Sequence, residues 1–173
     1  MTFEEQFKLV SVLAVLATEG RQLEGRLRVQ KVMYLLQQKG VQELAPVFFE
    51  YHHYGPFSTE VVDMLNDGVR SNVVTEEHQR DGDWKKYVYS PSDKASRYAE
   101  KLQEPSRKII GEVWRACSDL HWRTLELAAT ADYLRRADEI SLEDAFRAAL
   151  QRKPACREYE TDARKLLETL NLT

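Results

Sequence analysis

Six aromatic or imidazole rings crowd the seven residues from Phe48 to Tyr54, and a Gly55-Pro56 pair follows at once. Proline disfavours helix for the residue before it, so Gly55 must be extended or turned. The ring-rich segment is therefore irregular or extended, and the chain cannot run one helix through it. Ser58 restarts helix, with Val61, Val62, Leu65 and Val69 as the buried side. So dense a set of rings beside a breaker pair is either a packing hub or a binding surface.

Helical periodicity governs most of the remainder. Thr2 with Glu5 forms a capping box, and Phe3, Phe7, Val10, Leu13 and Leu16/Ala17 continue the first helix to Gly20. A second helix spans about residues 25–39 and stops at Gly40, with Val29, Val32, Met33, Leu35 and Leu36 as its apolar face. Gln30, Lys31, Gln37 and Gln38 fall mostly on the opposite, polar side, and Tyr34 sits at the border. Val73-Val74-Thr75 and Trp84 to Tyr89 flank a polar stretch holding Asp81-Gly82, which predicts a hairpin. Ser90-Pro91-Ser92-Asp93 then predicts a helix start. Further stripes follow. Ile109, Val113, Trp114 and Cys117 form one, and Trp122, Leu125, Ala129 and Tyr133 another. Ser141 with Asp144 opens a helix carrying Ala145, Phe146, Ala149 and Leu150, and Pro154 starts the last one.

These elements predict a mainly α protein with one β-hairpin. Three helices followed by a hairpin is the order of a winged helix, expected over residues 1–103. A helical extension over 104–173 packs on it, the two meeting in one compact domain near Gln103–Pro105. Only 7 Gly and 5 Pro in 173 residues argue against a turn-rich all-β fold. No apolar run approaches the roughly 20 residues that span a bilayer, and the N-terminus lacks a signal-peptide pattern. Cys117 and Cys156 are isolated, without metal-type spacing, so a reduced cytoplasm is the expected setting.

For chemistry the chain offers little. There is no Gly-rich phosphate loop, no nucleophile elbow and no His-Glu-x-x-His. His52 and His53, adjacent in an extended segment, point to opposite faces and do not converge on one metal. No enzyme activity, cofactor or metal is expected. The predicted hairpin tip and second strand carry Arg80, Lys85 and Lys86 among Trp84, Tyr87 and Tyr89, the mixture a wing needs to touch phosphates. Against nucleic acid stands the third helix. Residues 51–69 hold no Lys or Arg but include Glu60, Asp63 and Asp67, and the whole chain has a net charge of −3.

Three pieces together carry a resemblance: residues 28–37, with Gln30, Lys31 and Tyr34; residues 49–58, with Tyr54, Gly55 and Pro56; and the third helix. They resemble the Panacea domain, also called SocA-like, and within it the YwgA-like bacterial proteins. The stretch Leu125 to Leu134 and the Lys153-Pro154 junction look YwgA-like too. Val29 stands where many members have leucine. The resemblance implies a largely helical domain acting as an antitoxin or adaptor, with a toxin or a protease system as partner. The candidate partner-binding residues are Gln30, Lys31, Tyr34, Tyr51, His52, Tyr54, Gly55 and Pro56. In this expectation the polar side of the second helix joins the aromatic segment in one surface. The rival site is the wing at Arg80, Trp84, Lys85, Lys86 and Tyr87. A homodimer through the C-terminal helices is a further expectation.

Overall fold

In the computed structural model, which describes residues 2–81 and 84–173, helix dominates and two small antiparallel sheets interrupt it. Helix α1 (Phe3–Gly20) starts on the Thr2/Glu5 capping box. Every residue from Leu9 to Ala17 is buried, so α1 is a central strut rather than a one-sided amphipath. Phe3, expected on its buried stripe, projects into solvent. Strand β1 (Leu23–Glu24) leads through Gly25 into α2 (Arg26–Gln38).

The ring-rich segment forms a second hairpin, β2 (Glu50–His52) and β3 (Gly55–Phe57), beyond the one hairpin expected. Helix α3 (Thr59–Arg70) follows. Its buried side is Val61, Met64, Leu65 and Gly68, while Val62 is half-buried and Val69 exposed. Gly68 lies against Leu13 of α1, where an added Cβ would meet the leucine's terminal methyl at 2.6 Å and require it to shift. Ser58 stands at the N-cap position but makes no capping bond, its hydroxyl donating to Glu60 instead.

Strands β4 (Val74–Asp81) and β5 (Trp84–Pro91) pair antiparallel as the expected hairpin, and β1 joins β5 to complete the order β1-β5-β4. Of the expected Asp81-Gly82 turn, Asp81 belongs to β4 opposite Trp84, while Gly82 and Asp83 lie outside the described residues, as do the Asp81 and Trp84 side chains. β5 extends through Pro91, so the next helix starts later than Ser90-Pro91 suggested, as α4 (Ala95–Ala99).

Helices α5 (Glu104–Cys117), α6 (Trp122–Ala137), α7 (Leu142–Arg152) and α8 (Glu160–Thr169) complete the chain. A 3₁₀ segment, Pro154–Tyr159, separates α7 from α8 where one helix was expected. α6 is buried almost all round from Thr124 to Asp132, packed among α2, α7 and α8. α5 packs on α1 and α2, and one core cluster runs from Leu9 to Leu172. Among the described residues no helix is long and apolar enough to cross a membrane.

Candidate functional site: a ring-bearing hairpin held by buried polar groups

The register of the 50–57 hairpin sets up the site. Glu50 faces Phe57, Tyr51 faces Pro56 and His52 faces Gly55. Pro56 has no N–H, so Tyr51 and Pro56 form the pair that exchanges no hydrogen bonds. The Pro56 carbonyl therefore points away from β2, into the protein, where Lys31 Nζ donates to it at 2.7 Å. Two residues on, Ser58 presents its backbone in the same direction. Its N–H donates to Gln30 Oε1 at 3.0 Å, and its carbonyl accepts from Gln30 Nε2 at 2.8 Å. Consecutive side chains of α2 thus stand where a third strand would pair with the inner edge.

This corrects the expected exposure of the polar side of α2. Gln30, Lys31 and Tyr34 are each 2% exposed. They cannot line an open surface together with the rings. Buried polar groups are hydrogen-bonded: Gln30 and Lys31 to backbone groups more than 20 residues away, and Tyr34 to a carboxylate of α6. Burial, with the nearby Lys153 charge opposing and Glu126 favouring the cation, lowers the Lys31 amine to about 7.

α6 supplies the floor. Gly55 has φ +84, a left-handed conformation, and lies directly on Thr130, whose hydroxyl finds no hydrogen-bond partner among the described residues. Asp132, fully buried, accepts from the Tyr34 hydroxyl at 2.9 Å, from Arg135 at 2.9 Å and from Arg136 at 2.8 Å. Burial, and then the Asp132 carboxylate, push the Tyr34 phenol far above its ordinary range. At the turn, Lys153 Nζ donates both to the His53 carbonyl and to Glu126 Oε1, each at 2.6 Å. Cys156 lies 3.6 Å from the other Glu126 oxygen. Burial and then Glu126 raise its thiol to about 11, so it is no ready nucleophile. Burial alone lifts Cys117 to about 12.

What the clamp presents outward is aromatic. Phe48 is 68% and Tyr54 50% exposed. The Tyr54 ring sits 5.9 Å from Lys153 Nζ. Tyr51 leans on Tyr133 at 6.1 Å, with the Arg152 guanidinium 5.0 Å from its ring. His52 lies on Phe57 at 4.9 Å and meets Glu50 at 3.1 Å. Among the described residues, no three His, Cys, Asp or Glu side chains gather as a metal would require.

Of the expected partner-binding set, the structure therefore brings all eight residues to one hairpin but divides them. Tyr51, His52 and Tyr54 are outside. Gln30, Lys31, Tyr34, Gly55 and Pro56 are the buried mount. Sequence reasoning assigned no role to Glu126, Thr130, Asp132 or Lys153. Their signal was available, since Glu126, Thr130 and Asp132 are polar residues embedded in an otherwise small and apolar helix.

The wing is partly committed elsewhere. Lys86 pairs with Glu24, and Tyr87 lies between His78 at 4.6 Å and the Arg26 guanidinium at 3.9 Å. Tyr89 is buried and donates to Glu76 at 2.5 Å. Against the cost of burial, hydrogen bonds from Tyr89, Arg26 and His78 hold Glu76 at about 2. Arg80 and Lys85, opposite each other in register, are exposed.

One consequence of the buried amine is measurable. Unfolded, Lys31 keeps its proton to about 10.5; folded, it loses it near 7. The unfolded chain binds more protons in that window, so stability rises with pH from 7 towards 10.5, and the penalty is complete below 7. Between pH 7 and pH 9 the wild type should gain about 2 kcal/mol relative to Lys31→Met. Urea unfolding of both proteins at the two pH values measures it, and parallel pH profiles would refute the assignment.

Compared with known proteins, the chain matches no protein-family model and no curated protein.

Proposed function

We propose that this chain is a non-enzymatic protein-binding module that engages a partner protein through the exposed rings of the 50–57 hairpin. One observation carries the reading: an unusual number of buried polar side chains from α2, α6 and the Lys153 junction converge on a short hairpin whose rings face solvent. Buried polar groups cost stability unless fully satisfied, so a hairpin held this way is held in one position. Phe48, Tyr51, His52 and Tyr54 form the contact surface, since aromatic residues supply much of the affinity of protein interfaces. The likeness to the Panacea, YwgA-like proteins makes antitoxin or adaptor action the specific form proposed, with a toxin or a protease system as partner and the cytoplasm as the setting. The helix and strand order, with β1 closing the sheet, supports a winged-helix-like N-terminal part.

In this reading the winged shape serves protein contacts. Glu60, Asp63 and Asp67 occupy α3, and Asp67 is already matched by Arg70. The nucleic-acid alternative retains one supporting observation, the exposed Arg80–Lys85 pair on the wing.

Affinity capture from the native host, with and without nuclease, tests both. The expected result is one stoichiometric protein that survives nuclease and is lost with Tyr54→Ala, while the thermal midpoint of that variant is unchanged. Capture that persists in Tyr54→Ala would remove the ring surface. Capture that vanishes with nuclease or in Lys85→Ala would transfer the function to the wing, as would binding that weakens steeply with salt.

A further inference from the structure

The hairpin has two edges, and only one is filled. Along the inner edge, Gln30 and Lys31 satisfy Ser58 and Pro56. The same register turns the N–H and carbonyl of Tyr51 to the outer edge, because Pro56 opposite cannot donate. Among the described residues no backbone or side-chain group bonds to either Tyr51 group. All three residues of β2 are exposed. Two residues further, in the turn, the His53 carbonyl is already taken by the buried Lys153 amine. That contact anchors the turn and leaves both Tyr51 groups open.

Unpaired strand backbone is recognised by another extended backbone. Beside it stands the Arg152 guanidinium, exposed, resting on the Tyr51 ring and without a carboxylate partner among the described residues. We infer that an extended segment of the partner protein adds as a third strand along the outer edge of β2, pairing with Tyr51 and placing an acidic side chain at Arg152. This rests on the partner-protein reading above and specifies its mode: main-chain pairing supplies affinity, while the rings and Arg152 supply selectivity.

The test uses the whole protein and a phage-displayed library of short random peptides. Selected peptides should be enriched in acidic residues and should slow hydrogen exchange at the Tyr51 amide about tenfold or more. Their affinity should fall about tenfold further in Tyr51→Pro than in Tyr51→Ala, since both lose the ring but only proline removes the outward N–H, and no bond within the hairpin is lost in either. Failure to select any peptide would overturn the inference. So would peptides that leave Tyr51 exchange unchanged, or that bind Tyr51→Pro as well as Tyr51→Ala. Equal thermal midpoints for the two variants establish that Tyr51→Pro folds; if it melts early, the exchange measurement on wild type decides alone. If Tyr54→Ala abolishes partner capture while Tyr51 exchange is unaffected, the ring surface stands and strand addition fails. If Tyr51 is protected while Tyr54→Ala captures normally, strand addition stands and the ring surface fails.

Discussion

Asp132→Ala is expected to destabilise the protein by about 3 kcal/mol. The carboxylate is fully buried and accepts from three donors at once, Tyr34, Arg135 and Arg136. Its removal leaves the Tyr34 hydroxyl buried without an acceptor. It also leaves two cations to find water, which both partly reach, their side chains being 23% and 43% exposed. That partial exposure places the estimate at the lower end of what breaking a buried ion pair costs. Tyr34→Phe removes one donor and leaves the two cations paired, so it should cost only about 1 kcal/mol. Urea unfolding of both variants separates the two effects. A loss below about 1 kcal/mol for Asp132→Ala would mean that the arginines alone hold α6 in place.

Gly55→Ala should cost a comparable amount, about 2–3 kcal/mol. Two independent penalties act. The left-handed φ of +84 strains any side chain, and an added Cβ would overlap the Thr130 hydroxyl. A double-mutant cycle distinguishes them. Thr130→Ala in the Gly55→Ala background removes the overlap and should recover about half of the loss, leaving the strain of about 1 kcal/mol. Thr130→Val should recover nothing, since a methyl takes the place of the hydroxyl. In the parent protein Thr130→Val should be close to neutral, because that hydroxyl has no partner to lose. Additive effects across the cycle would show that the turn does not rest on Thr130.

The elements written in short-range chemistry were legible. The Thr2/Glu5 box opens α1, the Ser141–Asp144 cap opens α7, and the β-prone runs on either side of Asp81-Gly82 form the hairpin of β4 and β5. The candidate site stands out in the sequence through its rings and its Gly-Pro turn, but its arrangement does not. A helical wheel sends Gln30 and Lys31 outward because it knows only their polarity. What turns them inward is a strand edge more than 20 residues later, made needy by a proline. The Lys153–Glu126 and Tyr34–Asp132 contacts span 27 and 98 residues, and no local pattern encodes them. The 50–57 hairpin itself lacks the alternation that marks strands, because five of its eight residues carry rings and its second strand begins Gly-Pro.

The unfilled edge and the exposed rings are borne by a turn that touches α2, α6 and the junction after α7 all at once. Most recognition loops lose their conformational entropy when the partner arrives, which subtracts from affinity. Here that loss falls at folding, in the same cooperative step that forms the core. If the proposed partner binds here, the encounter would immobilise little of this protein's backbone, and differences in affinity between partners would report the contacts they make rather than the ordering they impose.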